Sequence, residues 1–165
     1  MKYTTVDSPL GPLLLARSAI GLTGVYLPEH RHGTDPGPGW LPDAGAFADV
    51  TDQLQAYWAG DLQCFALPLD LQGTAFQRAV WTALLAIPYG RTTSYGAIAA
   101  ALQVPGASRA VGLANGKNPV SIVVPCHRVV GSTGLLTGYG GGLPAKRFLL
   151  AHEAQHSPAP ADTLF

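Results

Sequence analysis

The sequence predicts a mixed α/β protein of the α+β kind, with a strand-rich first part and a helical second part. Three observations predict it. Short β-forming runs separated by Gly and Pro turns fill the start of the chain. From Thr74 onward, apolar residues recur at helical spacing behind capping signals. The charge divides at the same place. Residues 1–73 carry Lys2, Arg17 and Arg31 against Asp7, Glu29, Asp35, Asp43, Asp49, Asp52, Asp61 and Asp70, a balance of −5. Residues 74–155 carry Arg78, Arg91, Arg109, Lys117, Arg128, Lys146 and Arg147 against Glu153 alone, a balance of +6. The expected division is therefore 1–73, 74–155 and a Pro- and Ala-rich mobile tail over 156–165.

Strands are expected over Lys2–Val6, Leu13–Arg17 and 22–27, parted by Ser8-Pro9-Leu10-Gly11-Pro12 and by a turn at Ile20-Gly21. Pro28 to Pro42 reads as a loop. A helix follows over 43–59, with Asp43 as cap, Phe47, Val50, Leu54 and Trp58 on one face, and Gly60 as stop. Residues 64–71 are short and apolar, a strand or a connector. Thr74 and Gln77 stand at capping-box spacing, and Phe76, Val80, Leu84 and Ile87 form the apolar face of the helix they open, which Pro88 and Gly90 end. Helices over 94–102 and 107–116, joined by Val104-Pro105-Gly106, suggest a helix-turn-helix. A buried strand is expected over 121–124, a Gly-rich hairpin or wing over 131–142, and a last helix from Pro144 to Glu153.

Composition bounds the function. A chain of 165 residues, 47% hydrophobic and 12% charged, suits one compact domain or two small ones and argues against long disordered segments. No apolar run is long enough to cross a membrane, and no secretory signal is visible, so a cytoplasmic protein with two free thiols, Cys64 and Cys126, is expected. The basic second half suits a polyanion, or equally a dipolar protein whose halves attract each other. His30 with His32, and His152 with His156, lack partner ligands at metal-site spacing, so no metal is expected.

Cys126 stands in Pro125-Cys126-His127-Arg128 behind the apolar run Ile122-Val123-Val124. A cysteine attacks as thiolate, and a basic His127 and a cationic Arg128 would favour that form. An inert buried cysteine beside a solvent-facing His-Arg pair is the other reading. Glu153, the one acid of the second half, either pairs with Arg or Lys at the surface or joins His127 in a Cys/His/Glu relay. The helix at 107–116 is full of small residues, and Gly112 costs it about 1 kcal/mol relative to Ala. Either the helix packs tightly against another helix, or it approaches an external body closely, with Arg109 reaching phosphate or the base stack. Tyr95 suits the core or a proton donor. Gly138-Tyr139-Gly140-Gly141-Gly142 suits a hairpin tip or a backbone cradle for a planar ligand.

The run Ile122-Val123-Val124-Pro125-Cys126-His127-Arg128-Val129-Val130 resembles the signature of the O6-alkylguanine-DNA alkyltransferases (methylated-DNA–protein-cysteine methyltransferases). Thr93-Ser94-Tyr95-Gly96, Arg109-Ala110-Val111-Gly112, Asn118-Pro119 and Gly138-Tyr139-Gly140-Gly141 stand in that family's order and spacing. The resemblance is dense over 74–153 and looser over 1–73, where Asp7-Ser8-Pro9-Leu10-Gly11 is a familiar opening. It implies a small ribonuclease-H-like N-terminal unit followed by a winged-helix-like C-terminal unit that holds the site. It also implies direct reversal of DNA damage: the alkyl group of O6-alkylguanine, or of O4-alkylthymine, passes irreversibly and once to Cys126 after the base is flipped.

The same resemblance assigns roles. Cys126 accepts the alkyl group, His127 takes the thiol proton through a water, Glu153 orients His127, Asn118 holds the turn and Tyr95 donates toward the purine. Arg109, Ala110, Gly112, Ser94, Thr93, Ala114 and Asn115 would meet the minor groove of double-stranded DNA, with Arg109 as a finger in the vacated stack. Tyr95, Val129, Tyr139, Gly140 and Gly141 would line the base pocket, the carbonyls of Cys126 and Val129 accepting from the exocyclic amine. No metal, cofactor, membrane or obligate protein partner is implied, and a monomer is expected.

Overall fold

In the computed structural model, residues 1–30, 35–131, 139 and 141–157 are described. Strands β1 (Lys2–Val6), β2 (Leu13–Arg17) and β3 (Leu22–Tyr26) form an antiparallel meander, as their composition predicts. A two-residue strand β4 (Leu41–Pro42), inside the expected loop, pairs parallel with β1 and gives the order β3-β2-β1-β4. Its Pro42 is tolerated because β4 is an edge strand. Asp43 accepts from the Ala46 N–H and starts a 3-10 turn at Ala44–Phe47, which runs into α1 (Ala48–Trp58). Gly60, at φ +83, ends it in the left-handed region open to glycine. Residues 64–71 are a connector, touching the sheet through a bridge from Leu69 to Leu22.

Helix α2 (Ala75–Leu84) opens with both bonds of a capping box between Thr74 and Gln77. Its buried face is Val80, Trp81 and Leu84, and Phe76 is exposed, contrary to expectation. Trp81, outside the expected face, is buried. It lies back against Gly73, where a Cβ would come within 2.6 Å of the ring, and its Nε1–H donates to the Ala114 carbonyl at 2.9 Å. Helices α3 (Tyr95–Ala101) and α4 (Ser108–Gly116) pack on one another and form the helix-turn-helix, and α4 also rests on α2. Two-residue strands β5 (Thr93–Ser94) and β6 (Val129–Val130) pair parallel and tie the start of α3 to the Cys126 turn.

The strand expected over 121–124 is absent. Val120 bridges Val25 of β3, and the chain then coils into a buried turn with Ile122 at φ +74. A β-branched residue cannot extend a ladder in that conformation. Composition alone does not separate a buried turn from a buried strand when both are Val- and Ile-rich. Helix α5 (Leu143–His156) begins after Gly142, at φ +93, with Pro144 in its first turn, and continues past the expected end at Glu153. Most of the 131–142 segment and residues 158–165 of the tail lie outside the described residues.

One apolar cluster joins the parts. Leu15, Val25, Phe47 and Tyr57 pack in the same core as Val80, Trp81, Val111, Val124 and Leu149. The edge of β3 also hydrogen-bonds the segment that leads to the Cys126 turn: the Val25 N–H donates to the Pro119 carbonyl at 2.9 Å, and Ser121 N–H to the Val25 carbonyl at 3.2 Å. No helix among the described residues is long and apolar enough to cross a membrane.

Candidate active site and nucleic-acid face

Cys126, His127 and Arg128 form a single 3-10 turn, and all three are buried. Asn118 builds the approach to this turn. Its side chain accepts from the Val120 N–H at 3.0 Å and donates to the Val124 carbonyl at 2.9 Å, pinning the strained Ile122 segment between them. A positive φ at such a residue costs about 1–3 kcal/mol and persists only where its surroundings hold it.

The His-Arg pair does not face solvent. His127 Nε2 lies 2.7 Å from Glu153 Oε2, and Arg128 meets the same carboxylate with Nε at 2.7 Å and Nη2 at 3.0 Å. Glu153 thus takes both readings at once, pairing with Arg and with His127, but in the interior. Arg128 Nη1 also donates to the Ile87 carbonyl at 2.7 Å. A fourth group comes from α1, where Tyr57 Oη donates to Glu153 Oε2 at 2.7 Å. Burial raises the Glu153 pKa, but His127 and Arg128 outweigh it and hold the carboxyl below its ordinary range. Burial likewise lowers the His127 pKa, and Arg128 and Lys146 add to this against the pull of Glu153. His127 is therefore neutral at neutral pH, and the fixed positive charge beside Glu153 is Arg128.

The tautomer follows. An ionised carboxylate only accepts, so Nε2 carries the proton and Nδ1 carries the lone pair. Nδ1 is buried and has no protein partner among the described residues. The Cys126 thiol is pushed up by burial, while the Asn118 side chain, the Lys146 ammonium and Tyr139 pull it down. Tyr139 Oη faces that thiol and Ser121 without closing a well-aligned bond to either. Lys146, on α5, is fully buried, donates to the Val129 carbonyl at 2.6 Å, and has its pKa lowered to about 8 by burial. The result is a resting thiol beside a neutral base, in a site where Lys146 favours a developing thiolate.

The structure brings Cys126, His127, Glu153, Asn118, Val129 and Tyr139 together. Tyr95 stands half-buried at the start of α3, against Gly112 of α4. Gly141 packs on Tyr139 and on Leu27 of the N-terminal half, and Gly140 lies outside the described residues. The outer face of α4 shows Arg109, Ala110 and Leu113 to solvent, with Gly112 half-buried between them. A Cβ on Gly112 would meet only the Tyr95 ring, at 3.7 Å, which is ordinary contact. Packing within the protein therefore does not require glycine there. Ser94 caps α3 by accepting from the Ala97 N–H.

Three residues assigned to the DNA face are corrected. Thr93 is fully buried where β5 pairs with β6. Ala114 is buried against α2, its carbonyl taken by Trp81. Asn115 is buried and donates to the Cys126 carbonyl at 3.3 Å. Helical spacing turns the last two inward: Val111, Ala114 and Asn115 share the core-facing stripe. The charge reading also changes. Arg128 and Lys146 are internal, and in the second half the basic surface among the described residues consists of Arg78, Arg109, Lys117 and Arg147, with Arg91 half-buried. Tyr57, Lys146 and Leu113 were not singled out in the sequence. A Tyr on an amphipathic helix and a Lys on a terminal helix carry no local signal of a buried polar role.

Comparisons with known proteins cover the whole chain. The ribonuclease-like domain of 6-O-methylguanine DNA methyltransferase matches residues 1–71, and the DNA binding domain of the same family matches residues 75–155. The chain is 56% identical to a methylated-DNA–protein-cysteine methyltransferase of Mycobacterium bovis, over 99% of this chain and 98% of that one. It is 47% identical to one of Methanosarcina acetivorans, over 93% and 98%. The crystal structure of Mycobacterium tuberculosis OGT in complex with DNA superposes with a TM-score of 0.90 at 54% identity, covering 96% of each chain.

Proposed function

This chain belongs to the 6-O-methylguanine DNA methyltransferase family, and from that premise we propose that it repairs DNA by moving an alkyl group from O6 of guanine to the sulfur of Cys126. The observation that carries the proposal is the buried thiol beside a neutral His127, whose Nε2–H is committed to Glu153 and whose Nδ1 lone pair has no partner among the described residues.

The thiol proton passes through one water to His127 Nδ1. The sulfur attacks the alkyl carbon, the S–C bond forms, and the C–O6 bond breaks. The electron pair stays on O6, the Tyr95 phenol donates a hydrogen bond that stabilises the departing guanine anion, and a proton from solvent then makes the free base neutral. Imidazolium forms next to Glu153, which stabilises it without taking its proton. The same contacts suit O4-alkylthymine. The product is a thioether with no leaving group, so each chain acts once.

A base in a duplex does not present O6 to a buried thiol. The proposal therefore includes extrusion of the base, with α4 in the minor groove of double-stranded DNA. Exposed Arg109 fills the gap in the stack, Ala110 and Gly112 allow close approach, and Ser94 and the basic surface meet phosphate. The carbonyls of Cys126 and Val129 are the acceptors for the guanine amine; that of Cys126 already takes the Val129 N–H and, at 3.3 Å, Asn115, so the amine would displace the longer Asn115 bond, while that of Val129 takes Lys146. Residues 1–73 act as a supporting unit and 74–155 as the DNA-binding and transfer unit. The protein works in the cytoplasm as a monomer.

The test is intact and peptide mass after mixing with a duplex carrying one O6-methylguanine. The expected result is one methyl in place of hydrogen, located on Cys126 and saturating at one per chain. Cys126→Ala should bind the duplex and leave the lesion intact. A Cys126→Ala protein that still cleared the lesion would sink the proposal. A wild-type chain that bound without mass change would leave a damage-binding protein in its place.

A further inference from the structure

Glu153 Oε2 is a meeting point for donors from distant parts of the chain. Arg128 Nη2 and His127 Nε2 reach it from the active turn, at 3.0 and 2.7 Å, and Tyr57 Oη reaches it from α1 at 2.7 Å. The phenol has little freedom to do otherwise. Tyr57 is fully buried, with ring neighbours Trp58 at 5.0 Å, Phe65 at 5.5 Å, His152 at 5.0 Å and Tyr89 at 6.2 Å between centroids. His152 Nε2 also bonds the Tyr57 carbonyl at 2.8 Å, so α5 fixes the backbone that presents the hydroxyl.

We infer that Tyr57 is a positioning residue of the alkyl-transfer site: its hydroxyl, presented by the first helix of the N-terminal half, donates to Glu153 Oε2, disperses that oxygen's charge, and so holds His127 as a neutral base. The inference rests on the alkyl-transfer reading above and assigns regulation of its base to the other half of the molecule.

The physical argument concerns one oxygen. A carboxylate oxygen has two lone pairs, and Oε2 already serves three donors. Each donor lowers the charge left for the others. Remove the phenol, and the density returns to the His127 bond, where it stabilises imidazolium, which cannot take the thiol proton. Other charged groups do not compensate. Around His127, Glu153 alone favours the charged form, while Arg128 beside it and Lys146 from α5 disfavour it. Around Tyr57, the facing groups are Glu153, Arg128, Tyr89 and His152. Burial, and then the Glu153 charge, push the Tyr57 phenol far above its ordinary range, so it remains a donor at every working pH.

The experiment uses the full chain and single-turnover methyl transfer from an O6-methylguanine duplex, measured from about pH 5 to about pH 8.5. Two variants bracket the wild type. Tyr57→Phe keeps the ring packing and removes the donor. 3-Fluorotyrosine at position 57 keeps the shape and makes a stronger donor. The acid limb of the rate profile should move up by roughly half to one pH unit in Tyr57→Phe, and down in the fluorinated protein. Affinity for undamaged duplex should not change in either. A role in packing alone gives no shift of opposite sign in the two proteins. Limbs that superimpose on the wild type overturn the inference. If Tyr57→Phe loses its cooperative thermal transition, the fluorinated protein decides, and an unmoved limb there overturns it equally. A wild type that transfers nothing overturns the alkyl-transfer reading and this inference with it.

Discussion

The Cys126 turn and the outer face of α4 lie in the same half of the molecule and are built in opposite ways. At the turn, cationic, anionic and hydroxyl groups from α1, α5 and the turn itself converge in the interior, and the carboxylate of Glu153 is satisfied several times over. On α4 the outward residues are small or extend into solvent, with Arg109, Ala110 and Leu113 exposed. The difference separates two tasks. Chemistry on a weak nucleophile needs a low-dielectric site whose charges are held before the substrate arrives. Recognition of a regular duplex by close approach needs little more than a smooth face and one long cation.

The strongest way to break this comparison is Glu153→Ala. It leaves Arg128 buried without its anion, which costs about 3 to 5 kcal/mol, and it frees the His127 ring. Denaturant unfolding should show the loss, and methyl transfer should fall to background even where the chain is folded. Acid should do the same by titration. The folded-state pKa of Glu153 is depressed, so its contribution is complete above the ordinary carboxylate range and is lost as pH falls below it. Thermal unfolding across that range should show stability falling with pH in the wild type, and a flatter curve in Glu153→Ala.

Arg109→Ala probes the other region. The side chain is exposed, so stability should stay within about 0.5 kcal/mol. Transfer from duplex should slow by roughly tenfold or more, because base extrusion costs a few kcal/mol and the finger offsets part of it. Transfer from free O6-alkylguanine should be unchanged, and stopped-flow comparison of the two substrates checks this. Gly112→Ala sharpens the contrast with the smallest effect. The space beside Gly112 admits a methyl group, so the helix should gain up to about 1 kcal/mol. Duplex affinity should weaken several-fold, about 1 kcal/mol, by fluorescence anisotropy. A Gly112→Ala protein with unchanged affinity would place the close approach elsewhere.

Much of the fold is legible locally. The three strands of the meander, the Thr74–Gln77 capping box, the Asp43 start and the Gly60 stop each depend on residues adjacent in the chain. The misreadings share a cause. Phe76 fits the helical stripe, but it stands in the first turn of α2 and is exposed, while Trp81 is buried. Residues 121–124 have strand composition, but the bonds Asn118 makes and the fit against β3 coil them into a turn. Thr93, Ala114 and Asn115 sit inside motifs read as DNA-facing, yet strand pairing and helix rotation turn them inward.

By itself, the sequence determined the classes of residue available for chemistry. It contains one cysteine in a Pro-Cys-His-Arg run, one acid in a basic half, and a helix of small residues with a single arginine. These are statements about identity and short spacing, which a linear chain carries directly. Only the tertiary structure decided their electrostatics. It places Tyr57 against Glu153 across 96 residues, turns Arg128 from a cation beside the thiol into the counter-ion of Glu153, and buries Lys146 near the sulfur. The reason is physical. The charge state of a buried group depends on burial and on every neighbour within a few ångströms, and those neighbours come from whichever segments the core packs together.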